Sequence, residues 1–215
     1  MVGFFVQREL QTIPDWELHC SMASEAEANI ERFKSENHSA FIVGYTGEVG
    51  KALVHDLNQL KIFKRVVLIG RRRIHLHVGP EFEQKVINFD HLDNHRDLFS
   101  GLDVGFCCLG TTTGKSGTGQ VEEALKLMRF DRLSIYRPGM LLCKRDETRM
   151  LELVAGSILQ PIHYLFPTAI SAPVEVVARA MINHVLLPLG SEPNWTLYNN
   201  KALHLASGLS TGCRK

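Results

Sequence analysis

Gly44, Gly47 and Gly50 recur at intervals of three in Gly44-Tyr45-Thr46-Gly47-Glu48-Val49-Gly50. This stretch directly follows the apolar run SAFIV and opens an amphipathic one. Glycines so spaced let a backbone approach an anion closely, and the unpaired N–H groups of a helix start then face that anion. The spacing is GxxGxxG rather than GxGxxG, and alone it fits an unliganded tight turn equally well. Its place after the first strand of a strand–helix–strand unit points to the phosphates of a nucleotide.

The second apolar run, RVVLIG, ends in Gly70-Arg71-Arg72-Arg73. An NAD site usually carries Asp or Glu there, to hold the ribose 2′-hydroxyl. This chain has none, and two guanidinium groups would pair with a 2′-phosphate in bidentate fashion. The composition of this turn predicts NADP(H) in preference to NAD(H). The competing reading is a basic edge that only faces water.

Other chemistry fits less well. Gly110-Thr-Thr-Thr-Gly114-Lys115-Ser116 has three residues before its Gly-Lys pair where a P-loop needs four, and Gly50-Lys51 is followed by Ala52 instead of Ser or Thr. His91 and His95 stand at helical spacing, but no carboxylate pattern supports a metal there. The five cysteines (Cys20, Cys107, Cys108, Cys143, Cys213) are odd in number and contain no C-x-x-C. They predict reduced thiols and a cytoplasmic or nuclear setting. A formal net charge of +1 over 215 residues suggests neither nucleic acid nor an anionic membrane as a direct partner. No segment reaches the roughly 18 apolar residues of a membrane span.

The elements that must hold these residues alternate. Residues 1–21 read as a poorly ordered extension. A helix is expected from Met22, with Ser24 and Glu27 as a capping box. Strands are expected at SAFIVG, RVVLIG, KVINF and DVGFCCLG, with helices at TGEVGKALVHDLNQL and LDNHRDLFSG. One helix from about Gln120 and a strand at RLSIYR follow. Helices at ETRMLELVAGSIL and PVEVVARAMINHVLLP, a strand at WTLYN and a terminal helix at NKALHLAS complete the pattern. Uniformly apolar strands alternating with helices predict an α/β fold with a parallel sheet covered on both faces. Residues 22–215 are read as one domain, with the glycine-loop half at 39–110 and a shortened back half at 111–215.

SAFIVGYTGEVGKALV, VVLIGRR, DVGFCCLGTT, FDRLSIYRPGMLLC, VARAMINHV and NKALH together resemble the Tat-interacting oxidoreductase family, an atypical branch of the short-chain dehydrogenases/reductases. The resemblance runs from about residue 22 to 205, with one interruption. It implies a three-layer Rossmann-like domain and NADPH as cofactor. By resemblance, Thr46, Gly47, Glu48 and Val49 contact NADPH from the phosphate loop, and Arg71 and Arg72 hold the 2′-phosphate. Leu109 and Gly110 would line the groove, with Leu141 and Arg149 near the nicotinamide side and the phosphates. Tyr45 stands where the family has a small residue and Val49 where it has a hydroxyl residue, and both changes predict weakened affinity. The family also implies importin-β-type nuclear transport receptors and transcription regulators as partners, with links to apoptosis and angiogenesis.

A reductase of this kind moves a proton with a Tyr tuned by a Lys four residues on, one helical turn away. Four residues after Tyr45, Tyr136, Tyr164 and Tyr198 stand Val49, Met140, Thr168 and Ala202, so no Tyr-x-x-x-Lys exists in the sequence. GTTTGKSGTG runs straight into QVEEALKLMRFDR, where a family member has a helix, a serine-bearing strand and the start of the catalytic helix. Judged against ordinary βα units, roughly forty to fifty contiguous residues are missing. The domain is therefore expected to lack one strand and its flanking helices, with LSIYR beside the fourth strand in the vacated slot. Two functions follow: an NADPH-binding redox-linked regulator with impaired catalysis, or an active NADPH-dependent reductase of an unknown carbonyl, with Tyr136, His163 or Lys144 as a substitute acid.

Overall fold

The computed structural model describes residues 15–109, 118–128, 130–138, 140–142, 171–190 and 195–208. Helix α1 (Asp15–Ser35) leads into strand β1 (Ser39–Val43) and helix α2 (Glu48–Leu60). Strands β2 (Arg65–Gly70) and β3 (Phe82–Val86), a 3-10 segment (Phe89–Phe99) and strand β4 (Val104–Cys107) complete the front half. Behind them come α3 (Thr118–Leu127), β5 (Leu133–Tyr136), β6 (Met140–Leu142), β7 (Ser171–Pro173), α4 (Val174–Leu186), β8 (Trp195–Tyr198) and α5 (Asn200–Ala206).

The front half builds one parallel four-stranded sheet in the order β3-β2-β1-β4. Its central strands are apolar on both faces because both faces are covered. Ala40, Ile42, Val66 and Leu68 join one core with Leu53, Val54 and Leu57 of α2 and with Val177, Ala178, Met181 and Ile182 of α4. Their alternating neighbours Phe41, Val43, Val67 and Ile69 meet Ile87 and the 3-10 segment's Phe89, Leu98 and Phe99 on the other side. Period-two side-chain alternation thus divides one continuous apolar run between two layers. The result is the expected α/β, Rossmann-like arrangement.

Four details depart from expectation. Helix α1 already runs from Asp15, within the stretch 1–21 read as an extension, so Ser24 lies inside the helix and not at its start. β3 starts at Phe82, three residues before KVINF, because its ladder with β2 sets the register from Val66–Phe82 to Gly70–Val86. His91 and His95 have non-helical backbone angles and do not share a helical face. The expected ETRMLELVAGSIL helix lies outside the described residues.

The fourth departure concerns topology. LSIYR does not fill the slot beside β4: β5 pairs in parallel with β8, from Leu133–Trp195 to Tyr136–Tyr198, in a ladder of its own. The reason lies in α4. Arg132, just ahead of β5, donates to the carbonyls of His184, Leu187 and Pro188 at the end of α4. The Tyr136 hydroxyl lies 3.1 Å from Nδ1 of His184, whose Nε2 bonds the Tyr198 hydroxyl. Charged capping of helix-end carbonyls and a shared polar cluster lock the β5–β8 pair to α4. Among the described residues β4 pairs with β1 alone, and β6 and β7 form a third parallel ladder.

Candidate cofactor site

The glycine loop is formed by close approach. Gly44 has φ +81°, and a Cβ there would stand 2.8 Å from the Cys108 carbonyl carbon and 3.0 Å from the Leu109 nitrogen. The loop therefore rests on the chain leaving β4. A Cβ at Gly50 would lie 2.4 Å from the Gly44 oxygen, so α2 can start this close to the loop only with glycine there. The Gly47 amide donates to the Gly44 carbonyl at 3.0 Å. Gly47 is the N-cap of α2 and supplies no side-chain hydrogen bond, which leaves the amides of the first turn without an intrahelical acceptor. Donors and helix dipole together suit an anion. The Glu48 carboxylate beside them is paired with Lys51 Nζ at 2.8 Å.

Three strand ends meet at this edge. Gly44 follows β1, Arg71 follows β2 and Leu109 follows β4 closely. In a β3-β2-β1-β4 sheet the winding direction reverses between β1 and β4, where open α/β sheets bind ligands. Arg71, Arg72 and Arg73 are all exposed, and Leu109 is 59% exposed beside the loop. Leu141 stands on β6, paired through Ala172 to β7 in a separate ladder, and no described contact brings it to the loop. Gly110 and Arg149 lie outside the described residues.

Tyr45 corrects an expectation. Its ring does not crowd the phosphate space: the residue is fully buried, packed so tightly against Gly70 that a Cβ on Gly70 would stand 2.7 Å from Tyr45 Cε1. Its hydroxyl lies 2.8 Å from the Arg72 carbonyl oxygen and 2.9 Å from Gln84 Oε1. Val49 packs half-buried against the core and offers no side-chain donor, as its type dictates. Sequence reasoning missed Gln84 and the Tyr45–Gly70 fit. A large residue in the loop opposite a glycine ending the next strand is the signal that pairs them.

Tyr136 is poorly suited as a substitute acid. Its hydroxyl is engaged with His184, and burial raises its pKa well above the ordinary phenol value. His163 and Lys144 lie outside the described residues.

No family model matches the chain. The rat (Rattus norvegicus) protein HTATIP2 is 33% identical over 223 aligned positions, covering 81% of this chain and 92% of the rat protein. Since 81% of 215 residues is roughly 174, roughly 49 of those 223 positions stand opposite no residue of this chain. That is the size of the expected missing block. The Aspergillus niger protein fmp52, named as mitochondrial, is 30% identical over 99 residues, 42% of each chain. Among solved structures, a short chain dehydrogenase family protein from Francisella tularensis has a TM-score of 0.50 at 11% identity, covering 77% of this chain and 98% of that one. Cj0485 dehydrogenase has a TM-score of 0.51 at 11% identity, covering 82% and 98%.

Glycine loop, strand order and structural likeness define a Rossmann-fold protein. Within that fold, identity to HTATIP2 over nearly the whole of the relative is decisive. The chain belongs to the HTATIP2 family.

Proposed function

We propose that this protein binds NADP(H) and acts as a redox-linked regulator whose reductase chemistry is impaired. One observation carries the cofactor reading: exposed Arg71 and Arg72 follow β2, at the edge where the uncapped glycine loop begins α2. The residues fit the group. Gly44 and Gly50 leave no room for a side chain, as backbone cradling of a pyrophosphate requires, and the turn after β2 holds guanidiniums with no carboxylate. Bound NADPH would supply a hydride. This chain's residues would hold the adenosine half: loop amides on the pyrophosphate, Arg71 and Arg72 on the 2′-phosphate.

The impaired chemistry rests on sequence. No Tyr-x-x-x-Lys is present, and roughly 49 positions of the relative have no counterpart. Positioned acid–base catalysis is typically worth about 10²–10⁴ in rate. The protein's output in this proposal is a contact with partners, importin-β-type transport receptors and transcription regulators, in cytoplasm or nucleus. Family membership supports that part. Calorimetric titration with NADPH and NADH tests the cofactor reading. One NADPH per chain with weaker NADH supports it, and equal affinity for the two overturns it.

A further inference from the structure

Tyr45 belongs to the glycine loop by sequence and to the arginine turn by contact. It is the second residue of the loop, yet its hydroxyl ends 2.8 Å from the Arg72 carbonyl oxygen, 27 positions along the chain. Gln84 of β3 meets it there. The Gln84 side-chain oxygen lies 2.9 Å from the same hydroxyl and 3.1 Å from the Ile74 amide, while its nitrogen donates to the Ile74 carbonyl at 2.9 Å. The donation to the Ile74 carbonyl orients the amide with its oxygen toward Tyr45. A phenol has one hydrogen, so it is shared between the Arg72 carbonyl and Gln84.

Buried Tyr45 and half-buried Gln84 thus fix the backbone on both sides of Arg73, in a turn whose three guanidiniums are exposed. Three adjacent positive charges repel one another, and an unanchored turn would hold them in many arrangements. We propose that Tyr45 is a positioning residue for 2′-phosphate recognition, its hydroxyl setting the Arg71–Arg72 turn at a fixed distance from the glycine loop. A nucleotide carrying both phosphates must reach both anion sites at once, and a strut between them holds the two at one separation. This proposal rests on the NADP(H) reading above and adds the residue that tunes it.

Tyr45→Phe keeps the ring against Gly70 and removes only the hydroxyl. Gln84→Ala removes the same anchor from the other side and carries the test should Tyr45→Phe fail to fold. Calorimetry with adenosine 2′,5′-bisphosphate and with 5′-AMP separates the two anion sites. Both variants should bind the bisphosphate about tenfold more weakly and 5′-AMP within about twofold of the unmodified chain. An unchanged bisphosphate affinity in both variants overturns the positioning role, as does an equal loss for both nucleotides. If the unmodified chain binds the two nucleotides equally, the NADP(H) reading itself falls, and this proposal with it. Arg71→Ala/Arg72→Ala beside these variants marks the full loss of the 2′-phosphate contribution.

Discussion

Gly50 lies so close beneath Gly44 that a Cβ on Gly50 would stand 2.4 Å from the Gly44 carbonyl oxygen. The obstacle is backbone, not a side chain that can turn away. Gly50→Ala should therefore push α2 off the loop, at a cost of about 1–3 kcal/mol in stability. It should also lower NADPH affinity more than tenfold. Thermal melts and calorimetry check both, and an alanine variant that binds NADPH normally would show that this approach does not build the site.

Replacing Arg71 and Arg72 with Ala should erase the preference for NADPH over NADH while leaving NADH affinity largely intact. Each charged hydrogen bond to the 2′-phosphate is worth about 1.5–3 kcal/mol. Retained preference in the double variant would assign the 2′-phosphate to other residues.

His184 gives a pH dependence with a definite sign. Burial first, and the positive Arg132 second, hold its imidazole below the ordinary value of 6.5. Both ring nitrogens are engaged by the Tyr136 and Tyr198 hydroxyls. A histidine with a depressed folded pKa binds fewer protons folded than unfolded, so stability rises with pH across the window below 6.5. It is complete above 6.5 and falls on acidification toward the lowered folded value. Melting temperatures from pH 7.5 to 5.5 should drop, and the slope should be shallower in His184→Gln. Equal slopes would remove His184 as the cause.

The two neighbouring cysteines should react differently. Cys107 is exposed at the end of β4, whereas burial, aided by Cys107, pushes the Cys108 thiol up to about 12. Iodoacetamide at pH 8 should label Cys107 and spare Cys108 in the folded protein, read by fragment mass spectrometry. Equal labelling would contradict the packing of Cys108 against the core.

Local pattern made much of this legible. RVVLIG, SAFIV and TGEVGKALVHDLNQL carry their structure in their own periodicity, and β2, β1 and α2 lie where that periodicity puts them. Features set by distant partners were not legible. β3 is shifted because β2 dictates its register, and FEQKV has no strong period of its own. β5 left the expected slot because Arg132 and Tyr136 are tied to α4, some fifty residues away in sequence. The role of Tyr45 depends on Arg72 and Gln84, 27 and 39 positions on. The glycine loop and arginines were visible as types in a pattern; the strut between them was visible only in three dimensions.

The central claim is binding without comparable turnover. NADPH oxidation should be measured at protein concentrations where the cofactor complex is stoichiometric, over a panel of aldehydes, ketones and quinones, beside an HTATIP2-family relative that contains Tyr-x-x-x-Lys. The expected result is one NADPH bound per chain and a rate at least about 10²–10⁴ below the relative, the contribution of positioned acid–base catalysis. A kcat/KM comparable to the relative's on any substrate would contradict it and show that the chain carries its own proton donor.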